Sequence, residues 1–128
     1  MREPVRWGVL GAANFAREQM ARAIHMAEGA ELVALATSDQ AKAEGFRAFQ
    51  PRLRVHGSYE ALLADPEVEA VYIPLPNHLH VEWTVRAAEA GKHVLCEKPI
   101  AMAEGEFDRL VAARDRAGVL VAEAYMIL

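Results

Sequence analysis

Apolar positions in this chain fall into short continuous runs that alternate with stretches of helical spacing. The first run is VRWGVL at residues 5–10. A turn of small residues, GAANFA, follows it, and then REQMARAIHMAEG, in which Met20, Ala23, Ile24 and Ala27 recur at the spacing of one helix face. The pattern predicts strand, tight turn, helix. Residues 31–36, ELVALA, make a second strand closed by Thr37, Ser38 and Asp39, with Asp39 placed to cap a helix through QAKAEGFRAF. A weaker strand at residues 54–56 precedes Ser58 and a brief helix, YEALLADP, that Pro66 ends. AVYI at 70–73 is the fourth strand; the loop PLPNHLH then enters the helix VEWTVRAAEAG, with Asn77 as its N-cap and Gly91 as its C-terminal cap. HVLCE, a helix through EFDRLVAARDRAG capped by Gly118, and a last strand, VLVAEAYMI at 119–127, complete the order.

The strands are apolar along their length rather than at every second residue. That is the pattern of a parallel sheet covered on both faces, and strict strand–helix alternation requires the same arrangement. About six strands in this order predict an α/β, doubly wound parallel sheet of the Rossmann type, in which a ligand lies at the carboxyl ends of the strands near the reversal of strand order. The residues that decide function are then those just after each strand.

Bulk composition narrows the classes. The 128 residues suit a single domain, and 53% hydrophobic with 25% charged residues is globular composition. A formal charge of −4, with no long run of Lys or Arg, argues against a nucleic-acid or anionic-membrane footprint. No apolar stretch approaches a membrane span, and the start, MREPVRWGVL, lacks a signal-peptide layout, so a cytoplasmic location is expected. A lone cysteine, Cys96, sits in an apolar run and reads as a buried small hydrophobe.

After the first strand comes Gly11-Ala12-Ala13-Asn14-Phe15-Ala16. Against G-x-G-x-x-G/A, the first position is Gly11, the second Ala13 and the third Ala16. One glycine remains, but a small residue at 13 still admits a pyrophosphate, and the amides of Asn14 and Phe15 open a helix toward an anion. A plain turn of small residues packs equally well there. After the second strand, Thr37 and Ser38 stand where an acid would grip a ribose 2′-hydroxyl. With Lys42 one turn further on they leave room for a 2′-phosphate, which favours NADP(H) over NAD(H). Asp39 is accounted for as a helix cap. His78 and His80 have no neighbouring cysteine or acid cluster, so no metal site is assigned; His25, His56 and His93 are scattered. After the fifth strand stands Glu97-Lys98-Pro99. A surface ion pair is the simple account of neighbouring charges. At the ligand-bearing end of a sheet, however, a carboxylate can accept from ribose hydroxyls, and an ammonium can stabilise charge developing on a substrate oxygen.

WGVLGAANFA, YIPLPNHLHVEWTVRAAEAGKHVLCEKP and VAEAYM together resemble the amino-terminal half of the glucose–fructose oxidoreductase/inositol dehydrogenase/MocA family, and more narrowly its branch of NADP-linked dihydrodiol, xylose and anhydrofructose oxidoreductases. The resemblance covers nearly all of the chain. It implies a nicotinamide-dependent oxidoreductase that moves hydride to or from a sugar-like or cyclic alcohol, with residues 1–128 as the dinucleotide-binding domain. By resemblance Lys98 is the catalytic or substrate-orienting lysine and Glu97 a cofactor contact. Leu75, Pro76, Asn77 and His80 line the nicotinamide side, and Gly11, Ala12, Ala13, Asn14 and Phe15 meet the cofactor. The family's C-terminal substrate domain has no counterpart before Leu128, so a fragment and a naturally short protein fit equally. Either way the chain is expected to bind cofactor with little or no turnover alone. The competing expectation is a non-enzymatic dinucleotide-binding module that self-associates through the apolar terminal strand as a homo-oligomer; a third is the same fold with cofactor binding lost.

Overall fold

A computed structural model describes residues 3–12, 20–124 and 126–127. The elements are β1 (Val5–Leu10), α1 (Ala21–Met26), β2 (Ala30–Ala36), α2 (Gln40–Arg47), β3 (Arg54–His56), α3 (Tyr59–Leu63), β4 (Ala70–Ile73), α4 (His80–Glu89), β5 (His93–Cys96), α5 (Glu104–Ala117), β6 (Val121–Glu123) and β7 (Met126–Ile127). The strands lie in the order β3-β2-β1-β4-β5-β6-β7. All pairs from β3 to β6 are parallel, and β7 returns antiparallel to β6. The order reverses between β1 and β4, so the crevice of a doubly wound sheet opens at their carboxyl ends.

The sheet is covered on both sides, as its apolar strands demand. Leu10, Val71, Ile73, Val94 and Cys96 face a cluster completed by Leu62 of α3, Trp83 and Ala87 of α4 and Leu110 of α5. On the other face Val9, Leu32, Leu35 and Tyr72 meet Ala21 of α1 and Phe46 of α2. Leu32 and Leu35 share a face, despite an odd separation, because the register of β1 against β2 shifts between Trp7 and Gly8.

Most predicted ends hold. Asp39 accepts a hydrogen bond from Lys42 N at 3.2 Å and Ser58 one from Ala61 N at 3.1 Å. Gly91 and Gly118 take φ of 81° and 68° at the ends of α4 and α5, where any side chain would be strained. Three expectations change. Asn77 is not an N-cap: the chain makes one 3₁₀ turn over Asn77–Leu79, entered from Pro76, and α4 begins at His80. Proline fixes the entry, and no side chain caps that turn. The α1 stripe runs through Met20, Ala21 and Ile24, with Ala23 and Ala27 exposed, because the helix ends at Met26 and Ala27 is already extended. The terminal strand is two strands: Glu123 pairs with Met126 and Ala122 with Ile127, a tight hairpin that a continuous apolar run cannot reveal.

Candidate functional site

The crevice at the sheet's carboxyl end is a cleft of about 580 Å³, within the range of small-molecule and cofactor sites. Three predicted groups converge on it: Gly11 and Ala12 from the end of β1, Thr37, Ser38 and Lys42 from the end of β2, and Leu75 and Pro76 from the end of β4. Asp39, Ser58 and Pro74 also line it, together with Gly57, Tyr59, Glu60 and Trp83, which the sequence does not single out. Tyr59 meets Trp83 edge-on at 4.9 Å between centroids, and Arg86 lies 4.7 Å over the same indole. The sequence signal for these was weak, since Tyr59 and Trp83 lie in helices whose periodicity marks them as core.

The floor at Gly11 tests whether the cleft fits a dinucleotide. Gly11 has φ of 100°, and a Cβ built there would stand 3.0 Å from Leu75 Cδ2. A side chain would be strained by the backbone angle and would fill the gap between the β1 and β4 ends. The bare glycine keeps that gap open, as close approach of a pyrophosphate requires. Ala13, Asn14, Phe15 and Ala16 lie outside the described residues.

At the end of β2, Thr37 is buried, its N–H donating to His56 O at 2.9 Å and its hydroxyl oxygen accepting from Asp39 N at 3.1 Å. Ser38 and Lys42 are exposed beside it. Among the described residues that line the cleft Lys42 is the one cation, and the carboxylates of Asp39 and Glu60 line it as well. Asp39 is occupied as the cap of α2, and Glu60 lies 3.3 Å from the Arg86 guanidinium.

The segment after β5 is built differently. Glu97 N donates to Ile73 O at 3.1 Å, and one Glu97 carboxylate oxygen accepts from the Tyr72 hydroxyl at 2.5 Å. Tyr72 is fully buried, and burial together with the Glu97 carboxylate pushes its phenol far above the ordinary range. Lys98 and Pro99 are exposed at the tip. Ile100 is buried and its N–H donates to the Glu123 carboxylate at 2.9 Å. Cys96, buried as expected, has a thiol that burial pushes up to about 12. Glu97, Lys98 and Asn77 are outside the walls of the main cleft, at the neighbouring strand ends. His80 is 1% exposed, with both ring nitrogens on backbone carbonyls: Nδ1 lies 2.6 Å from Pro99 O and Nε2 2.6 Å from Leu75 O. It sits behind the loops rather than lining them. Sequence reasoning passed over Tyr72 and Glu123; the one usable signal was a phenol hydroxyl and a carboxylate inside otherwise apolar runs.

Among the described residues no cluster of three metal-ligating side chains occurs, and no helix is long and apolar enough to cross a membrane.

A parallel sheet of this strand order, with a glycine-floored cleft at its switch point, defines a dinucleotide-binding domain of the Rossmann class. The chain belongs to the Gfo/Idh/MocA family, described as an oxidoreductase family with an NAD-binding Rossmann fold, whose model matches residues 5–125. It is similar to a dTDP-3,4-didehydro-2,6-dideoxy-alpha-D-glucose 3-reductase of Saccharopolyspora spinosa, with 45% identity over all of this chain and 38% of that protein. It also resembles the D-xylose 1-dehydrogenase (NADP(+)) 2 of Haloferax volcanii, 41% identical over 94% of this chain and 37% of the relative. Among solved structures, the 3-ketoreductase KijD10 of Actinomadura kijaniata, crystallised with NADP and TDP-benzene, superposes with a TM-score of 0.89 at 36% identity, over 96% of this chain and 38% of that one. The chain thus spans little more than a third of the length of these relatives.

Proposed function

We propose that residues 1–128 form the NADP(H)-binding domain of an oxidoreductase that transfers hydride to or from a sugar-like or cyclic alcohol. The observation that carries this reading is the convergence of Gly11, Thr37, Ser38, Lys42 and Leu75 on one cleft at the switch point of the sheet. The two relatives and the neighbour named above, an NADP-linked dehydrogenase, a nucleotide-sugar reductase and an NADP-bound ketoreductase, support the reaction class and the phosphorylated cofactor. In this reading the hydroxyls of Thr37 and Ser38 and the ammonium of Lys42 take the 2′-phosphate, with Lys42 acting as a compact point charge. Gly11 and Ala12, with Ala13, Asn14 and Phe15, meet the pyrophosphate. Glu97 accepts from a ribose hydroxyl with the carboxylate oxygen that Tyr72 does not use. Lys98 is the catalytic residue: its ammonium orients the substrate oxygen and stabilises the negative charge that develops there as hydride moves. Leu75, Pro76 and Asn77 border the nicotinamide.

Calorimetric titration of the purified chain with NADP(H) and NAD(H) in parallel tests the reading. Micromolar binding that favours the phosphorylated form is expected; absence of binding by either overturns it. Pentose turnover by the isolated chain at ordinary enzyme rates would overturn the narrower reading that it acts only as the cofactor part.

A second reading, a self-associating module, is favoured by one observation. Met102 and Leu120 are 72% and 66% exposed, and Phe107 and Val111 stand exposed one turn apart on α5. Large apolar groups left exposed outside the core are candidates for an association surface. Light scattering across micromolar concentrations should give a dimer or larger species on this reading; a clean monomer removes it.

A further inference from the structure

We infer that His80 is a positioning residue: its imidazole ties the loop after β4 to the segment after β5 and so sets Lys98 relative to the cleft. The inference rests on the reading of Lys98 as the nicotinamide-side group and assigns His80 a part in that site other than contact with the cofactor.

The geometry is specific. His80 opens α4, its ring is almost wholly buried, and its two nitrogens point in different directions at two carbonyl oxygens, each at 2.6 Å. A carbonyl oxygen only accepts, so each contact is a hydrogen bond through the ring nitrogen that carries the hydrogen, and the other carbonyl is packed against the same ring. One acceptor, Leu75 O, belongs to the residue whose side chain borders Gly11 on the cleft floor. The other, Pro99 O, belongs to the residue directly after Lys98. Proline has no N–H, so its carbonyl is the only backbone polar group through which Pro99 can be anchored. The imidazole holds it from one side while Glu123 holds Ile100 N from the other. The Pro99–Ile100 peptide plane, one residue past Lys98, is therefore held at both ends, by buried His80 and half-buried Glu123 on two separate elements.

The two contacts do not carry equal weight. Leu75 is also held by its own buried side chain in the core, whereas Pro99 is exposed. Removing the imidazole nitrogens should therefore loosen the Lys98 segment more than the cleft floor. A core histidine that only filled space would not discriminate between the two.

The test compares NADPH with 2′-phospho-ADP-ribose, which has the same adenosine end and pyrophosphate but no nicotinamide. Both are titrated calorimetrically into the unsubstituted chain, His80→Phe and His80→Gln. His80→Phe keeps an aromatic ring and removes both ring nitrogens. It should weaken NADPH about tenfold, the scale of one buried hydrogen bond acting through position, and leave 2′-phospho-ADP-ribose within about twofold. His80→Gln retains an amide donor for one carbonyl and should recover part of the NADPH loss. Equal weakening of both ligands, or of neither, overturns the inference while leaving the cofactor reading intact. Failure of the unsubstituted chain to bind either ligand overturns the cofactor reading and the inference with it. Should His80→Phe not fold, the same pair of titrations on His80→Gln decides: selective weakening of NADPH supports the inference, and unselective weakening or none removes it.

Discussion

The segments that follow β2 and β5 are both short, polar and exposed at their tips, yet they are held in different ways. After β2 the bonds are mostly local: Asp39 N to Thr37 Oγ1 and Lys42 N to Asp39 Oδ1 each close a turn within four residues, and among the described residues Thr37 N alone reaches across, to His56 O. After β5 the partners are distant in sequence. Tyr72, His80 and Glu123 lie 25, 19 and 23 residues from the atoms they hold, on three different elements. The difference matches what each end would have to do. A 2′-phosphate can be met by a flexible ammonium on an exposed stem, because charge attraction tolerates a loose geometry. Hydride transfer does not tolerate it, since a misplacement of about 1 Å can cost about a hundredfold in rate.

The largest effect should come from the one distant support of the β2 segment. The β3 residues Arg54 and His56 both pair with Asp65, at 2.7 and 3.0 Å, and His56 O in turn receives Thr37 N. Burial pushes the Asp65 carboxyl up, but the Glu67 N–H, the Arg54 guanidinium and the His56 ring together outweigh it and hold it at about 2, below the ordinary 3.8. A carboxylate with a depressed folded-state pKa stabilises the fold above its unfolded value, and that contribution is lost as pH falls from about 4 through about 2. Asp65→Asn should cost about 2 kcal/mol at pH 7 in urea unfolding, with the difference from the unsubstituted chain shrinking toward pH 2. It should also speed exchange of the Thr37 amide without speeding that of Glu97. A stability loss independent of pH would show that Asp65 acts by packing, and equal exchange at both segments would erase the contrast between them.

Next in size is Glu123. Glu123→Ala leaves the buried Ile100 N–H without its acceptor, a loss of about 1.5 kcal/mol, whereas Glu123→Gln keeps a carbonyl oxygen there and should recover most of it. Thermal melts of the two variants separate the hydrogen bond from the charge.

What could be foreseen follows the same division. The alternation of elements, the caps at Asp39 and Gly118 and the placement of Gly11, Ala12, Thr37, Ser38 and Lys42 at strand ends were legible because each depends on residues close in sequence. The Glu97-Lys98-Pro99 segment was visible as charge at a strand end; its supports were not, because contacts over about twenty residues leave no local period. His80 illustrates the limit. Position in a motif put it beside the cofactor loops, but only the fold shows its ring turned inward onto two carbonyls. The hairpin at the end of the chain was hidden for a related reason, since an apolar run carries no sign of where it reverses.

Tyr72 should give a smaller change. Tyr72→Phe removes the hydroxyl that donates to Glu97, and because Glu97 is half-buried, water can replace part of the bond, leaving a cost of about 1 kcal/mol. Its signature is spectroscopic. In alkaline titration of the unsubstituted chain one tyrosine should ionise only as the protein unfolds, since burial and the Glu97 carboxylate both oppose its charge, and Tyr72→Phe should abolish that late step. A late step that survives the substitution would assign the resistant phenol elsewhere.

Lys42 and Ser38 should matter least to the fold and most to the choice of cofactor. Both are exposed, and Lys42 contributes to the Asp39 cap through its backbone N–H, which alanine retains. Lys42→Ala and Ser38→Ala should therefore each move stability by less than about 0.5 kcal/mol. If the β2 segment takes a 2′-phosphate, Lys42→Ala should weaken NADPH severalfold, leave NADH nearly unchanged, and reduce the salt dependence of NADPH binding, because the lost contact is a screened charge. Ser38→Ala should remove less, since a neutral hydroxyl is one donor among several and water can stand in for it. Equal weakening of both cofactors by Lys42→Ala would mean that the ammonium meets the pyrophosphate instead. The discriminating element at this end of the cleft would then be Asp39, whose Oδ1 is engaged by Lys42 N in the α2 cap.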